Sequence, residues 1–199
     1  RYCPLCGTAI AFKRTIGNDA VEFGVSGKLY NSDMVMYDRK TDSYWQQATG
    51  EAIIGELTGM KLEMVSADVH TWGDWKLAHQ DTQVLSLDTG YLRSYGDDPY
   101  GGYYTSSSLM FPVSNEDKRL HPKEVVYGIE INGKFKAYPD SSIEKGESIS
   151  DTLGGAALTI GKDDFGKMRV MKGDKEIVSV RSFWFAWAAF HPETDVYAP

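Results

Sequence analysis

The sequence is poor in cysteine, in histidine and in long apolar stretches. Its 199 residues include two cysteines and four histidines, which excludes a disulfide-dense scaffold. No apolar run approaches the roughly 20 residues that span a bilayer, so we expect no transmembrane segment in this chain. The net charge is −7, and the basic residues form no cluster of the kind that binds phosphates. We therefore expect no nucleic-acid partner.

The proportions of hydrophobic and charged residues are those of a globular protein. Hydrophobic residues make up 42% and charged residues 25% of the chain, which is too apolar for a disordered protein. We predict a single domain over residues 1–199, with a first half at 1–90, a connection at 91–122 and a second half at 123–199. The connection is rich in Tyr, Gly, Ser and Pro, and we expect it to run across the surface.

Short apolar runs alternate with turn residues every eight to twelve positions along much of the chain. This spacing is typical of short antiparallel strands. We predict a β-rich α+β fold, built from two pseudo-repeated halves that each end in a short helix. The predicted strands are 21–25, 34–37, 44–47, 62–66, 125–131, 135–138, 168–171 and 176–180.

An internal repeat supports the two halves. A Trp-x-x-Trp-x-x-x-His-x-acid-Thr pattern begins at Trp72 and again, with identical spacing, at Trp184. The two Trp and the His of each copy lie at i, i+3 and i+7, on one face of a helix. We expect this face either to pack in the core with a hydrogen-bonded histidine or to supply a ligand pair related by pseudo-symmetry, His79 and His191.

The second half opens with a predicted hairpin that the first half lacks. Its strands at 125–131 and 135–138 flank Asn132-Gly133, a turn pair that tolerates positive φ. We therefore expect the leading hairpin of the first half to be missing from this chain. The sequence starts with Arg1, without an initiator Met or a signal peptide, which favours a processed or fragmentary start. We expect a periplasmic or secreted location.

Four blocks of the sequence form a recognisable set: Tyr-Cys-Pro-Leu-Cys-Gly-Thr-Ala from Tyr2, Phe-Gly-Val-Ser-Gly from Phe23, Leu-Tyr-Asn-Ser-Asp from Leu29, and the stretch from Phe183 to Thr194. In these blocks the sequence resembles domain of unknown function 3179, a family of uncharacterised bacterial and archaeal proteins. In that family an Ile-Asn-Gly turn and an Asn-Asp-x-x-Gly-Gly cassette, often preceded by His, come before the cysteine motif. At the corresponding place in its second cassette this sequence has Gly146. The resemblance implies one continuous fold and no established activity.

The Cys-Pro-Leu-Cys-Gly motif is the chief candidate for chemistry. Proline stiffens such a turn, and glycine lets backbone amides approach the thiolates, as in a metal-binding knuckle for Cu, Zn or Fe. C-P-x-C also occurs in thiol-disulfide enzymes, although the residues after Cys6 favour a strand over the helix that those enzymes have. A third alternative is a non-catalytic binding or scaffold domain with a structural disulfide between Cys3 and Cys6.

Our leading hypothesis is a metal-binding, extracytoplasmic protein that uses one cysteine pair and histidine. We predict a metal site formed by Cys3, Cys6 and either His79 or His191, with the metal left open among Cu, Zn and Fe. No Ser-His-Asp order, phosphate loop or paired-carboxylate motif is recognisable, so a hydrolase or kinase has no support. The sequence assigns no catalytic residue, and neither a small-molecule nor a protein partner is identified.

Overall fold

The fold is β-rich, as the sequence predicts. A computed structural model describes residues 1–67 and 69–198. The helices are α1 Trp72–Ala78 and α2 Trp184–Phe190, with 3₁₀ turns at Gly101–Thr105 and Asp140–Ser142. The strands are β1 Tyr2–Cys3, β2 Thr8–Ala9, β3 Ala11–Phe12, β4 Thr15–Ile16, β5 Asp19–Ala20, β6 Phe23–Tyr30, β7 Asp33–Asp38, β8 Tyr44–Gln46, β9 Ala52–Ile54, β10 Met64–Val65, β11 Val125–Ile131, β12 Lys134–Pro139, β13 Ser148–Leu153, β14 Ala156–Lys162, β15 Met168–Lys172, β16 Lys175–Glu176, β17 Val180–Phe183 and β18 Asp195–Val196.

The largest sheet joins strands from the two ends of the sequence. Its order is β1-β2-β17-β11-β12-β18, and its pairs are antiparallel except for β12 with β18. The β11–β12 hairpin turns at Asn132 and Gly133, both with positive φ, which is the turn chemistry that the sequence predicts. Because Arg181 of β17 pairs with Ala9 of β2, this sheet fixes the cysteine loop against the start of α2.

The other strands form two four-stranded antiparallel sheets and two two-stranded sheets, β10-β3 and β4-β5. In the C-terminal sheet, β13-β14-β15-β16, alternate residues of β14 are buried, and Leu158 and Ile160 enter one hydrophobic cluster. In the N-terminal sheet, β6-β7-β8-β9, Trp45 and Met36 form the centre of a separate cluster. Strand β7 carries a buried aspartate at each end, and the first of these, Asp33, reaches the cysteine loop.

Helices α1 and α2 have matching local structure. Each has seven residues, and in each the histidine that follows caps the helix with nearly the same backbone angles. The second tryptophan of each helix donates its indole N–H to a threonine hydroxyl seven residues later, over 2.9 Å in α1 and 2.8 Å in α2. The same tryptophan ring lies 3.9 Å from the histidine ring in α1 and 4.0 Å in α2, centroid to centroid.

The two helices differ in what covers them. Six of the seven residues of α2 are buried, whereas α1 has no buried residue. Trp184 of α2 is 0% exposed and Trp72 of α1 is 53% exposed. The two tryptophans of α2 therefore pack in the core, as one of the two sequence interpretations expects. None of the helices in the described ranges is long and apolar enough to cross a membrane.

One predicted strand is wrong, and the hairpins β4–β5 and β13–β14 were missed. The predicted strand at 176–180 is interrupted, because β16 ends at Glu176 and β17 begins at Val180 as the chain passes from one sheet to another. The longer of these hairpins, β13–β14, turns at Gly154 and Gly155, both with positive φ. Its burial alternates along the strands, but Ala156 is buried and Ala157 exposed, so the start of β14 shows no apolar–polar contrast in the sequence. Within residues 91–122 the only regular element in the structure is the 3₁₀ turn at Gly101–Thr105.

Candidate metal centre

The Cys-Pro-Leu-Cys-Gly turn joins two short paired strands. Cys3 ends β1 and lies opposite Thr8, the first residue of β2, so residues 4–7 form a tight loop. Gly7 has a φ of 62°, and a Cβ atom there would lie 2.9 Å from the Phe183 ring. A larger residue would meet both obstacles, so this position favours glycine. The backbone N–H of Phe183 donates to the Cys6 carbonyl over 2.7 Å and anchors the loop.

Asp33 approaches the cysteine loop from the first position of β7. The turn before it passes through Asn31 and Ser32, with φ values of 50° and 60°, and two successive residues with positive φ make a turn that suits a hairpin. The Ser32 hydroxyl donates to the carbonyl of Phe111 over 2.7 Å. The turn is thereby fixed against residues of the connection. It leaves the Asp33 side chain facing inward, with 0% of the residue exposed.

The Asp33 carboxylate is surrounded by donors. The Cys6 thiol donates to Oδ1 over 2.8 Å, and Oδ2 accepts from the Gln46 side-chain amide over 2.6 Å and from the Ala48 backbone N–H over 2.8 Å. The Thr8 hydroxyl donates to the Cys6 sulfur over 2.9 Å. These bonds fix both the carboxylate and the sulfur, so the site is ordered before any ligand arrives.

Three side chains bring metal-ligating atoms together at this point. The sulfur atoms of Cys3 and Cys6 and a carboxylate oxygen of Asp33 all lie within 4.8 Å of one another, and all three residues are buried. Both cysteines are free thiols, so the structure does not contain the structural disulfide considered from the sequence. Two sulfurs and one carboxylate oxygen form a ligand set that suits Zn²⁺ and other transition metals.

Burial and mutual contact shift the pKa values of the three groups in different directions. Burial raises the pKa of Asp33 to about 6, against the opposing effect of its hydrogen bonds. Burial also raises the pKa of Cys6 well above its usual range, together with the contacts to Cys3 and Asp33. A hydrogen bond with Cys6 lowers the pKa of Cys3 and outweighs the effect of its burial. Cys3 is therefore the thiol that ionises more readily.

Residues of the connection cover the cysteine loop. The Tyr103 hydroxyl donates to the Leu5 carbonyl over 2.8 Å, and burial raises the pKa of Tyr103 to about 12. The ammonium of Lys123 lies 4.1 Å from the centre of the Tyr103 ring and donates to the carbonyls of Ser106 and Ser108. A cation over the ring face and two backbone acceptors hold the cover in place. The site is thus closed on this side by an ordered segment.

The structure gives the two predicted histidine ligands other neighbours. His79 is exposed and lies against Trp75, at the end of α1. His191 is stacked on Phe135 at 4.3 Å and lies 4.0 Å from Trp187. Burial, with a smaller contribution from the charge of Lys61, lowers the pKa of His191 to about 4. Neither histidine belongs to the three-residue group formed by Cys3, Cys6 and Asp33.

Sequence reasoning missed Asp33 as a member of the site. Asp33 lies 27 positions beyond Cys6, so no local spacing connects them. A signal was nevertheless present in the Asn31-Ser32-Asp33 block. A short polar run between two apolar strands predicts a turn, and an aspartate beside such a turn is ordinarily exposed to solvent, so the sequence contained no reason to expect Asp33 in the core.

Comparison with known proteins supplies the family but no function. Neither a curated protein nor a solved structure matches this chain. The family described as protein of unknown function (DUF3179) matches residues 1–176, a range that contains the cysteine loop, Asp33 and the β11–β12 hairpin. With most of its length matched, this chain belongs to the DUF3179 family.

Proposed function

We propose that this chain binds one transition-metal ion through Cys3, Cys6 and Asp33. The observation that carries the proposal is the meeting of two free sulfurs and a carboxylate oxygen, all buried, within 4.8 Å. The sulfurs come from one loop, whereas the carboxylate comes from a different sheet. Separate elements therefore converge on one point, as they do in metal sites that are completed by folding.

Charge favours a cation at this point. Ionised thiols and a carboxylate are costly to bury unless a positive charge compensates them. The raised pKa values of Cys6 and Asp33 express that cost in the metal-free protein. No described salt bridge involves Asp33. A divalent ion that replaces the thiol protons would neutralise two of the three negative charges, and its binding would release protons.

Zinc binding would require only a small change in the distance between the Cys6 sulfur and the Asp33 carboxylate. Zinc lies about 2.3 Å from thiolate sulfur and about 2.0–2.2 Å from carboxylate oxygen, so tetrahedral geometry separates the sulfur and the oxygen by about 3.6 Å. The Cys6 sulfur and Asp33 Oδ1 are 2.8 Å apart when the thiol donates its hydrogen. Loss of the thiol proton would make room for the ion if the Cys6 sulfur and Asp33 Oδ1 moved apart by about 0.8 Å.

Three protein ligands leave a fourth position open. Structural zinc sites have four protein ligands, whereas sites that react with water or substrate have three. The ligand set suits Zn²⁺, and its two thiolates also suit copper and iron. The sequence-based expectation that His79 or His191 provides a further ligand stays a prediction. Replacing each histidine with alanine tests it, because loss of a ligand would weaken metal binding.

Elemental analysis of chain purified without chelators tests the proposal. We expect about one equivalent of Zn, Cu or Fe in the natural chain and a loss of at least tenfold in metal affinity for Cys3→Ser, Cys6→Ser and Asp33→Asn. Asp38→Asn is the matched control, because Asp38 is an equally buried aspartate at the other end of β7. Metal-free protein that takes up no added ion, or equal binding by all these variants, would refute the proposal.

A thiol-disulfide activity is the second candidate. The observation that favours it is the pair of free sulfurs, within 4.8 Å, in a C-x-x-C turn. Exchange with a disulfide such as oxidised glutathione would form the Cys3–Cys6 bond, reduce the glutathione to two thiols and transfer both protons to them. Incubation with glutathione redox buffers followed by thiol alkylation and mass spectrometry tests this candidate. An intramolecular disulfide that forms reversibly supports it, and alkylation that is unchanged across the buffers rules it out.

Two broader expectations also remain as proposals. We propose that the halves are pseudo-repeats, supported by the matched contacts of α1 and α2. An experimental structure in which Trp72, Trp75 and His79 superpose on their counterparts together with the flanking strands would establish the repeat. We also propose a periplasmic or secreted location, which cell fractionation tests directly.

A further inference from the structure

The exposed face of α1 lacks the partner that covers the same face of α2. Around α2, a Cβ atom added to Gly128 of β11 would lie 2.2 Å from the Trp187 ring, so the ring lies directly on the backbone of the hairpin. Phe135 of β12 stacks on His191 with ring centres 4.3 Å apart and planes 22° apart. A Trp-x-x-Trp-x-x-x-His helix is thus covered by a β-hairpin that carries a glycine on one strand and an aromatic residue on the other.

No described residue occupies either position beside α1. Trp72 is 53% exposed, Trp75 is 37% exposed and His79 is exposed. The ring contacts of Trp75 in the structure are with His70 and His79, at the two ends of its own helix. Trp75 nevertheless has the histidine stack and the threonine hydrogen bond of its counterpart Trp187. The helix is therefore preformed, and its apolar face is available for a partner.

The residues that precede each helix also favour a hairpin as the partner of α1. Residues 181–183 belong to β17 and pair with β11, for example Phe183 with Val125. Their counterparts by the spacing of the two Trp motifs are residues 69–71, which form no strand in the structure. A hairpin laid over α1 could add a strand along residues 69–71, as β11 does along β17. Strand addition of this kind supplies backbone hydrogen bonds, and side-chain pockets provide the selectivity.

The negative charge near α1 favours a partner that carries positive charge. From Trp72 to Leu92 the chain has three acidic residues, Asp74, Asp81 and Asp88, against one basic residue, Lys76. Asp74 is paired with Lys145 over 3.7 Å, so Asp81 and Asp88 supply the negative charge beyond the end of α1. A hairpin with lysines on its second strand, such as Lys134 and Lys136 of β12, would complement this surface. The β11–β12 hairpin of a second copy is already packed on α2. The partner must therefore be a separate hairpin.

We propose that α1 and residues 69–71 form the docking site of a further β-hairpin of the β11–β12 type. Its first strand places a glycine against Trp75, and its second strand places an aromatic ring against His79. The hairpin adds one strand and covers the two exposed tryptophans.

A synthetic peptide of residues 123–139 tests the proposal. The peptide is cyclised, because an isolated hairpin is marginally stable in water, and it carries a fluorescent label for anisotropy measurements against the intact 199-residue chain. We expect saturable binding and protection of tryptophan from acrylamide quenching. Peptides with Gly128→Ile or Phe135→Ala should bind at least tenfold more weakly, because the first clashes with Trp75 and the second loses the stack on His79.

Variants of the chain locate the binding surface. We expect Trp75→Ala to weaken peptide binding at least tenfold. Leu77→Ala is the matched control, because Leu77 is exposed on the same helix and lies about 200° around it from Trp75; its affinity should stay within twofold. Failure of the cyclised peptide to bind, or equal binding by the Trp75→Ala variant, overturns the proposal. Self-association of the chain through Trp72 and Trp75 without the peptide would overturn it as well.

Discussion

Replacing Asp33 with asparagine should stabilise the metal-free protein while it weakens metal binding. Burial raises the pKa of Asp33 from its ordinary value of 3.8 to about 6. Between these two pH values the folded protein holds a proton that the unfolded chain has released, so the free energy of unfolding falls as the pH rises. A difference of about 2.2 pKa units corresponds to about 3 kcal/mol at pH 7 and above. Asparagine has nearly the same shape and carries no charge, so it avoids this cost.

The assay is urea unfolding of chelator-treated natural chain and Asp33→Asn variant from pH 3.5 to 8. We expect the two free energies of unfolding to be similar at the lowest pH and to separate between pH 4 and 6. Above pH 7 the variant should be more stable by about 3 kcal/mol. In the presence of the bound metal the order should reverse, because the ion stabilises only a protein that binds it.

Asp38→Asn provides a control of opposite sign. Burial opposes ionisation of Asp38, but hydrogen bonds from the Trp45 indole, from Thr41 and from the Lys40 backbone outweigh it and lower its pKa. Its charge therefore stabilises the fold above pH 4, and the variant should be less stable at pH 7. If Asp33→Asn is also less stable than the natural chain at pH 7, without metal, the account of Asp33 as a strained buried carboxylate is wrong.

Three further predictions concern the core around α2. Gly128→Ala should destabilise the protein by about 1–3 kcal/mol, measured by urea unfolding, because the added methyl group meets the Trp187 ring; an unchanged midpoint would contradict this packing. Thr194→Val should lower the free energy of unfolding by about 1–3 kcal/mol, because it leaves the buried indole N–H of Trp187 without an acceptor. The equivalent change beside the exposed Trp75, Thr82→Val, should lower it by less than about 0.5 kcal/mol. Equal losses in the two variants would contradict the difference in burial between the two sites. Because the pKa of His191 falls to about 4, the contribution of this group to stability should fall by about 2–3 kcal/mol as the pH falls from 6.5 to 4. In the natural chain the opposite contribution of Asp33 offsets this loss, so the prediction concerns the difference between the natural chain and His191→Asn, which should shrink by about 2–3 kcal/mol over that range in the same unfolding experiment; an unchanged difference would contradict it.

Local sequence patterns predicted the elements whose cause is local. The Asn132-Gly133 turn and the strands beside it follow from turn chemistry and alternation, and both helices follow from the spacing of tryptophans at Trp72 and Trp184. The β13–β14 hairpin was missed because small and polar residues hide its buried face. Whether α1 is covered could not be predicted, because a helix repeat carries no information about which neighbour is present.

The candidate site was predictable only in part for the same reason. The tight loop of Cys3 and Cys6 follows from its own five residues. The approach of Asp33 depends on how the N-terminal sheet packs against that loop, and no spacing in the sequence encodes such a contact. His191 lies against the rings of Phe135 and Trp187, and its role as a metal ligand stays a prediction.

X-ray absorption spectroscopy of the zinc-loaded chain tests the proposed metal centre most directly. Scattering at the zinc edge measures the number and type of ligands without prior assumptions about the metal's position. The account predicts two sulfur neighbours at about 2.3 Å and a carboxylate oxygen at about 2.0–2.2 Å, with the sulfur shell lost in the variant that combines Cys3→Ser with Cys6→Ser. A first shell of oxygen and nitrogen alone in the natural chain would contradict it.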